Sequence, residues 1–373
     1  MKPSQYSRLL SRKLYWDLEE QVLWLDLRQI WPEKGVLRLP SWDQMMLSAE
    51  PIPHYAPALD VLSWSIHSEL RFWLQQIPKW VVESCQLFPS HQLSLLHYAG
   101  RYPQMLELLD HAPLLAWELV RAPLTEAERV ALFQSKRTDM VEKLGWPGKS
   151  ETLKFLRSLR LRQVNSELLE QVQVCLLDER RLNSLQSLPR INSMALSLAA
   201  RFPELIGQRL HQSLARMPCR PMQCQSMVAL LEDVYRLAEF IGEADVTHKI
   251  GECRYLVEVE TLYQAWLNQA LDQPSQATKV ELSNQPQLLT QLAEWQALSR
   301  QQHQAWWLDY SQPKLQLWAW LFEGQTVGLL LDKQDVASPK VRRLRQADNQ
   351  LASAALQTQV ELWLVSLKKT ELD

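Results

Sequence analysis

Residues 314–332 read KLQLWAWLFEGQTVGLLLD, and this stretch decides the fold class. Apolar side chains alternate along Leu315–Phe322, Glu323-Gly324 supplies a turn, and Thr326–Leu331 can pair back as the second strand of a hairpin. Before about Leu271 the apolar residues follow the helical period instead. The change of period predicts a mainly α protein, with an irregular, solenoid-like helical body and a small C-terminal α+β domain.

Composition sets the predicted domain boundaries. A region rich in tryptophan and proline covers residues 1–58, a helical body covers 59–271, and a small α+β domain covers 277–373 after a polar linker. In the first region Leu14, Leu18 and Val22 lie at helical spacing, whereas 36–39 favours a short strand.

The C-terminal domain has further predicted elements besides the hairpin. We expect strands at Thr278–Leu282 and Val341–Arg345, and helices at Pro286–Leu298 and Leu351–Leu367.

Two segments of the helical body resemble each other. Ala99–Leu106 and Ala199–Ile206 each place Arg, an aromatic residue and Pro before an apolar helical run. Proline fits the first turn of a helix, and the residue before it is held extended. We therefore expect Tyr102 and Phe202 to be buried at equivalent helix junctions, either in a helix–turn–helix repeat or by a chance match.

Charge and cysteine content indicate the cellular compartment in which the protein works. The 373 residues carry 40 Lys and Arg against 42 Asp and Glu, so no global field draws the chain to nucleic acid or to an anionic membrane. Five scattered cysteines favour reduced thiols in a cytosol. The N-terminus lacks the apolar region of a secretory signal, and no apolar run reaches the roughly 18 residues of a membrane span. We predict a cytoplasmic protein without membrane contact.

One set of residues could hold a metal ion. Four residues separate Cys219 from Cys224, a spacing that zinc sites allow, and His211, His248 and Cys253 lie nearby in sequence. Prolines crowd the segment and no second tight cysteine pair exists, so we favour buried thiols and predict neither a metal nor a cofactor.

Catalytic motifs are weak throughout the chain. Cys85 with His91 or His97 could form a nucleophile–base pair, but no glycine-rich turn or acidic partner stands at a recognisable spacing. With nine glycines the chain has no phosphate-cradling loop. We predict no catalytic residues.

Basic residues cluster despite the neutral average. The clusters are Lys154, Arg157, Arg160 and Arg162; Arg180, Arg181 and Arg190; and Lys340, Arg342, Arg343 and Arg345. Local Lys/Arg groups can bind phosphates whatever the net charge, although each could equally be a solvated face. The predicted nucleic-acid-binding residues are Arg157, Arg160, Arg342, Arg343 and Arg345.

Tryptophans crowd the C-terminal domain. Trp318 and Trp320 lie two residues apart on one strand and therefore on one face. We predict that some of Trp306, Trp307, Trp318 and Trp320 form an exposed partner-binding patch bordered by the third basic cluster. The alternative is that all four belong to the core.

Several segments, in order, resemble the PcfJ-like proteins, a bacterial family associated with mobile elements. They are residues 137–148 (RTDMVEKLGWPG), 153–157, 188–192, 255–266, 278–282, 341–349 and 360–364. Arg300 and Gln301 stand where the family pattern has His and Cys, and His303 is displaced. The resemblance implies a DNA-linked or defence-linked role, without the chemistry of the His-Cys pair.

These observations favour a non-enzymatic binding or adaptor subunit. It would act through protein–protein contacts within a nucleic-acid-handling, mobile-element or defence complex. Two alternatives stay open: a nucleic-acid-directed enzyme with its site in the C-terminal domain, and a purely structural scaffold.

Overall fold

A computed structural model describes residues 14–29, 33, 35–59, 61–62, 68–219, 221–271, 280–333, 339–346 and 352–370. The chain forms two compact units, Met1–Val228 and Ala229–Asp373. The division differs from the predicted one at 271–277, because the helices that follow Ala229 pack within the second unit. The predicted class, mainly α with a small C-terminal α+β part, is confirmed.

The first unit opens with an antiparallel sheet of three strands in the order β1-β2-β3, which are Leu14–Asp17, Val22–Asp26 and Val36–Pro40. The predicted strand at 36–39 is confirmed as β3, but the helical spacing of Leu14, Leu18 and Val22 was misleading. The alternate residues Leu14 and Trp16 of β1, and Leu23 and Leu25 of β2, are buried, as expected for strands with one face on the core. Leu18 is 74% exposed in the turn between the two strands.

Short helices build the rest of this unit. They are α1 Trp42–Leu47, α2 Ser68–Gln76, α3 Lys79–Gln86, α4 Gln92–Arg101, α5 Pro103–His111, α6 Pro113–Arg121, α7 Glu126–Phe133, α8 Arg137–Lys143, α9 Ser150–Ser158, α10 Ser166–Leu177, α11 Glu179–Leu185, α12 Ser193–Arg201 and α13 Arg209–Arg216. A 3-10 turn, Pro203–Leu205, lies between α12 and α13. Their apolar faces share one core with the inner face of the sheet.

The two Arg-aromatic-Pro segments both end a helix, but the junctions that they form are not equivalent as predicted. Tyr102 ends α4 and precedes Pro103, the first residue of α5. Phe202 ends α12 and precedes Pro203 in the 3-10 turn. Phe202 is buried as predicted, but Tyr102 is only half-buried, and its hydroxyl donates to Glu126 Oε1 at 2.7 Å.

The boundary between the units falls within α14, Pro221–Ile241, and the second unit continues with α15 Val246–Glu252 and α16 Leu256–Leu271. The remaining elements are β4 Gln287–Leu289, α17 Leu292–Gln302, a 3-10 turn Trp306–Asp309, β5 Leu315–Phe322, β6 Gln325–Asp332, β7 Lys340–Arg345 and α18 Ala354–Thr370. The strands form an antiparallel sheet in the order β4-β5-β6-β7.

The predicted hairpin is confirmed as β5 and β6. Glu323 and Gly324 have φ of 50° and 78°, the left-handed values that a tight two-residue turn requires. The strand expected at 278–282 is not formed by Val280–Leu282, and Thr278 and Lys279 lie outside the described residues. Instead β4 forms within the run predicted as helix, because Gln287–Leu289 pairs with β5 and delays the helix to Leu292.

Candidate functional site

The predicted tryptophan patch is not exposed. Trp306, Trp307 and Trp320 retain only 0%, 8% and 2% of their accessible surface, and Trp318 is half-buried. The prediction of an exposed surface was therefore wrong for three of the four, because a helix covers each face of the sheet. Binding of a partner protein by these tryptophans stays a prediction, but the exposed apolar patch on which it was based is not formed.

Packing on the two faces explains this burial. On one face the ring of Trp363 from α18 packs against Trp318 and Trp320, with ring centroids 5.0 and 6.5 Å away. On the other face the Trp306 ring lies against Gly328, where an added Cβ would come within 2.9 Å of it. Gly328 is therefore what lets this tryptophan reach the sheet.

The third basic cluster divides between interior and surface. Arg343 Nη2 donates to Asp233 Oδ2 at 2.7 Å, and its guanidinium lies 5.5 Å from the centroid of the Trp306 ring. Burial, followed by the charge of Arg343, lowers the pKa of Arg345. Arg342 is exposed and pairs with Asp332 at 3.3 Å. The three arginines therefore do not form the single exposed border that was predicted.

A network of charges accounts for the inward position of Arg343. Arg236 on α14 forms ion pairs with both Asp233 and Asp309, and Asp233 also accepts from Arg343. Asp309 is 4% exposed and accepts a further hydrogen bond from Gln312 Nε2 at 3.3 Å. The network joins α14, β7 and the 3-10 turn of the second unit, so its role is to hold these elements together.

The first and second basic clusters come together in the first unit. Helix α9 packs against α11, and Lys154 Nζ lies 3.4 Å from Gln186 Oε1 at the end of α11. Beyond the helices, Arg160 N donates to Ile191 O and Ile191 N donates to Ser158 O, both at 2.8 Å. This short parallel bridge pairs Leu159 with Ile191, which places the chain at Arg190 beside Ser158 and the chain at Arg160 beside Asn192.

We call Lys154, Arg157, Arg160 and Arg190 the basic surface. All four side chains are exposed. The two chain segments that carry them, 152–166 and 180–203, contain no Asp or Glu. Of the acids at their ends, Glu179 already pairs with Lys149 at 2.8 Å. A local excess of positive charge therefore exists on a chain that is almost neutral overall.

Arg160 also has a local structural role. Its Nη1 donates to Arg157 O at 2.6 Å and to Leu159 O at 2.8 Å, at the C-terminal end of α9. Cations at this end of a helix interact favourably with its dipole. These bonds hold the Arg160 guanidinium against the last backbone carbonyls of α9, so the position of this charge is defined by the fold.

Histidines and cysteines occupy structural positions. His97 Nδ1 lies 2.8 Å from Tyr55 Oη, and His91 Nδ1 lies 2.9 Å from Ser90 Oγ. Burial lowers the pKa of His97 to about 4 and raises the pKa of Cys85 well above its ordinary value. A neutral thiol and a neutral, hydrogen-bonded imidazole do not make an activated nucleophile.

The proposed metal ligands have other partners. His211 Nδ1 accepts from Gly207 N at 3.0 Å, and Cys253 Sγ donates to Lys249 O at 3.3 Å. Cys219 Sγ and Cys224 Sγ lie 3.4 Å from each other. Within the described ranges, no three or more His, Cys, Asp or Glu side chains converge as metal ligands would.

A cleft of about 480 Å³ lies along residues 280–294. Its acidic residues are Glu281 and Glu294. The Glu294 carboxylate accepts from Thr290 N at 2.8 Å and from Gln291 N at 2.9 Å, so it caps the start of α17. The cleft wall is therefore part of a helix cap, and its geometry does not suggest acid–base chemistry.

No protein-family model matches the chain, and no curated protein or solved structure is significantly similar to it. The resemblance to the PcfJ-like proteins therefore stays a prediction. In the described part of the chain, none of the helices has the length and apolar character needed to span a bilayer.

Two of the four residues of the basic surface were predicted from the sequence. Arg157 and Arg160 were predicted for nucleic-acid binding, and both are exposed, whereas Lys154 and Arg190 were noted only as members of basic clusters. The absence of acids from 152–166 and 180–203 is visible in the sequence and could have indicated all four.

Proposed function

We propose that the protein is a non-enzymatic binding subunit that holds the sugar–phosphate backbone of a nucleic acid on its basic surface. The observation that carries the proposal is the joining of two acid-free segments, which places Lys154, Arg157, Arg160 and Arg190 together. Exposed lysine and arginine are the residues that neutralise phosphates and release their counterions.

The proposed binding is independent of base sequence. Contacts to phosphates fix position but do not read bases. Four neutralised phosphates would give a slope of log affinity against log salt of about −3.6 on duplex DNA, or about −2.8 on a single strand. Affinity would then fall roughly 50- to 150-fold between about 50 and 200 mM salt.

Fluorescence anisotropy with mixed-sequence oligonucleotides, single-stranded and duplex, tests this proposal. The test variant combines Arg157→Gln with Arg190→Gln, and on duplex DNA it should reduce the magnitude of the salt slope by about 1.8. The matched control combines Arg71→Gln with Lys79→Gln, two exposed positions on α2 and α3 with the same change in charge. Absence of salt-dependent binding, or equal losses in both variants, would refute the proposal.

The proposal also includes contacts with other proteins, but through residues other than the four tryptophans. The exposed apolar side chains Leu47 and Phe72, 85% and 58% exposed, replace the buried tryptophans as the positions to test. The resemblance to the PcfJ-like proteins favours a mobile-element or defence complex as the setting. Exchange of both side chains for serine, followed by co-purification from the native host, tests this part separately from nucleic-acid binding.

A further inference from the structure

Two thiols meet at the end of the first unit. Cys219 follows α13 through Met217 and Pro218, and Cys224 lies in the first turns of α14. Their Sγ atoms are 3.4 Å apart, and neither cysteine is in a disulfide. A disulfide bond is roughly 2.05 Å long, so the two sulfurs must approach each other by about 1.4 Å to form one.

The pair is nearly but not fully enclosed. Cys219 and Cys224 keep 8% and 9% of their accessible surface, whereas Cys85 and Cys175 keep none. The pair therefore lies nearer the surface of the first unit than the other two thiols of that unit, which are enclosed by the core.

We propose that Cys219 and Cys224 are a site of reversible oxidative modification, at which a hydroperoxide converts the two thiols into an intramolecular disulfide. The thiolate of one cysteine attacks a peroxide oxygen, the O–O bond breaks, and water leaves after protonation, which gives a sulfenic acid. The second sulfur loses its proton and attacks the sulfenic sulfur, the S–O bond breaks, and a second water leaves. Two electrons pass from the thiols to one hydrogen peroxide, which becomes two waters.

The surroundings make the first step slow and the second fast. Burial, followed by the hydrogen bond between the two thiols, raises the pKa of Cys224 to about 12, so little thiolate exists at neutral pH. Once a sulfenic acid forms, the other sulfur is already in contact with it. Disulfide formation should therefore outpace both further oxidation and capture by external thiols.

The test uses the full chain, first reduced and then freed of reductant. The protein is treated with hydrogen peroxide while folded, and the remaining thiols are blocked with N-ethylmaleimide after denaturation. The five cysteines should carry five adducts before treatment and three after it, with loss of two hydrogen atoms and a cross-linked peptide joining Cys219 to Cys224. Dithiothreitol should restore all five adducts.

Two variants sharpen the result. Cys253→Ser removes a thiol of similar exposure, 7%, and should leave the cross-link unchanged. Cys219→Ser should abolish the cross-link and leave a sulfenic acid on Cys224 that dimedone traps. Peptide mapping of the wild-type protein decides the matter if Cys219→Ser does not fold. A cross-link to another cysteine, independent modification of the two thiols, or no cross-link even after prolonged treatment with excess peroxide would overturn the proposal. Because the readout is mass, none of these outcomes bears on nucleic-acid binding.

Discussion

Arg343 on β7 donates to Asp233 on α14 at 2.7 Å, an ion pair between residues 110 positions apart in the chain. Both side chains are largely enclosed, with 16% and 19% exposed. The adjacent residue Arg342 is 59% exposed and pairs with Asp332, next to an irregularity in the pairing of β6 with β7 at Leu330/Leu331. One strand thus carries a structural arginine beside a surface arginine.

Replacement of Arg343 should destabilise the second unit. Arg343→Gln removes one of the two arginine partners of Asp233 and the cation that faces Trp306, so we expect a loss of about 2–4 kcal/mol in the free energy of unfolding. Urea denaturation followed by tryptophan fluorescence measures it. Arg342→Gln is the matched control, since that side chain is 59% exposed and should change stability by less than about 1 kcal/mol. Equal effects of the two substitutions would contradict the assigned roles.

Because the tryptophans are buried, their replacement should reduce stability, whereas replacement of an exposed partner-binding patch would leave stability almost unchanged. Trp320 is 2% exposed and packs against Trp363, so Trp320→Ala should cost about 3–5 kcal/mol of stability. Thermal and urea denaturation provide the measurement. Trp80→Ala on α3 is the control, because Trp80 is 39% exposed and has less packing to lose. A stable Trp320→Ala protein would show that the helix α18 does not cover this face in solution.

The junctions at Tyr102 and Phe202 should differ in their contributions to the free energy of unfolding. Phe202→Ala should cost about 3–5 kcal/mol, because the side chain is 7% exposed in the core. Tyr102→Phe removes only the hydrogen bond to Glu126 and should cost about 1–2 kcal/mol. Phe72→Ala, at a site 58% exposed, should stay within about 0.5 kcal/mol of the wild type. Urea midpoints at constant slope give the three values, and a large loss for Phe72→Ala would contradict its exposure.

Elements that are determined by residues close together in the chain were predictable from the sequence. The Glu323-Gly324 turn and the alternation on each side of it specify the hairpin without reference to the rest of the chain. The start of α7 is determined just as locally, because the side chains of Thr125 and Glu128 form reciprocal capping bonds there.

Elements that depend on distant partners were not predictable in the same way. β4 is three residues long and becomes a strand only by pairing with β5. β1 and β2 are four and five residues long, so their apolar positions fit a helix as well as a strand. The basic surface requires the bridge between Leu159 and Ile191, and the inward position of Arg343 requires Asp233. No local period encodes either contact.

Burial of His211 predicts acid sensitivity. Burial lowers its pKa from 6.5 to about 4, and the neutral ring accepts from Gly207 N. Between these values the unfolded chain binds a proton that the folded chain does not, so stability is fully present above pH 6.5 and is lost as pH falls toward 4. In urea denaturation across this range, His211→Gln should lower the slope of unfolding free energy against pH by about 1.4 kcal/mol per pH unit. His248→Gln is the control for the substitution itself, made at an exposed histidine. An unchanged slope in His211→Gln would mean that His211 is protonated in the folded protein.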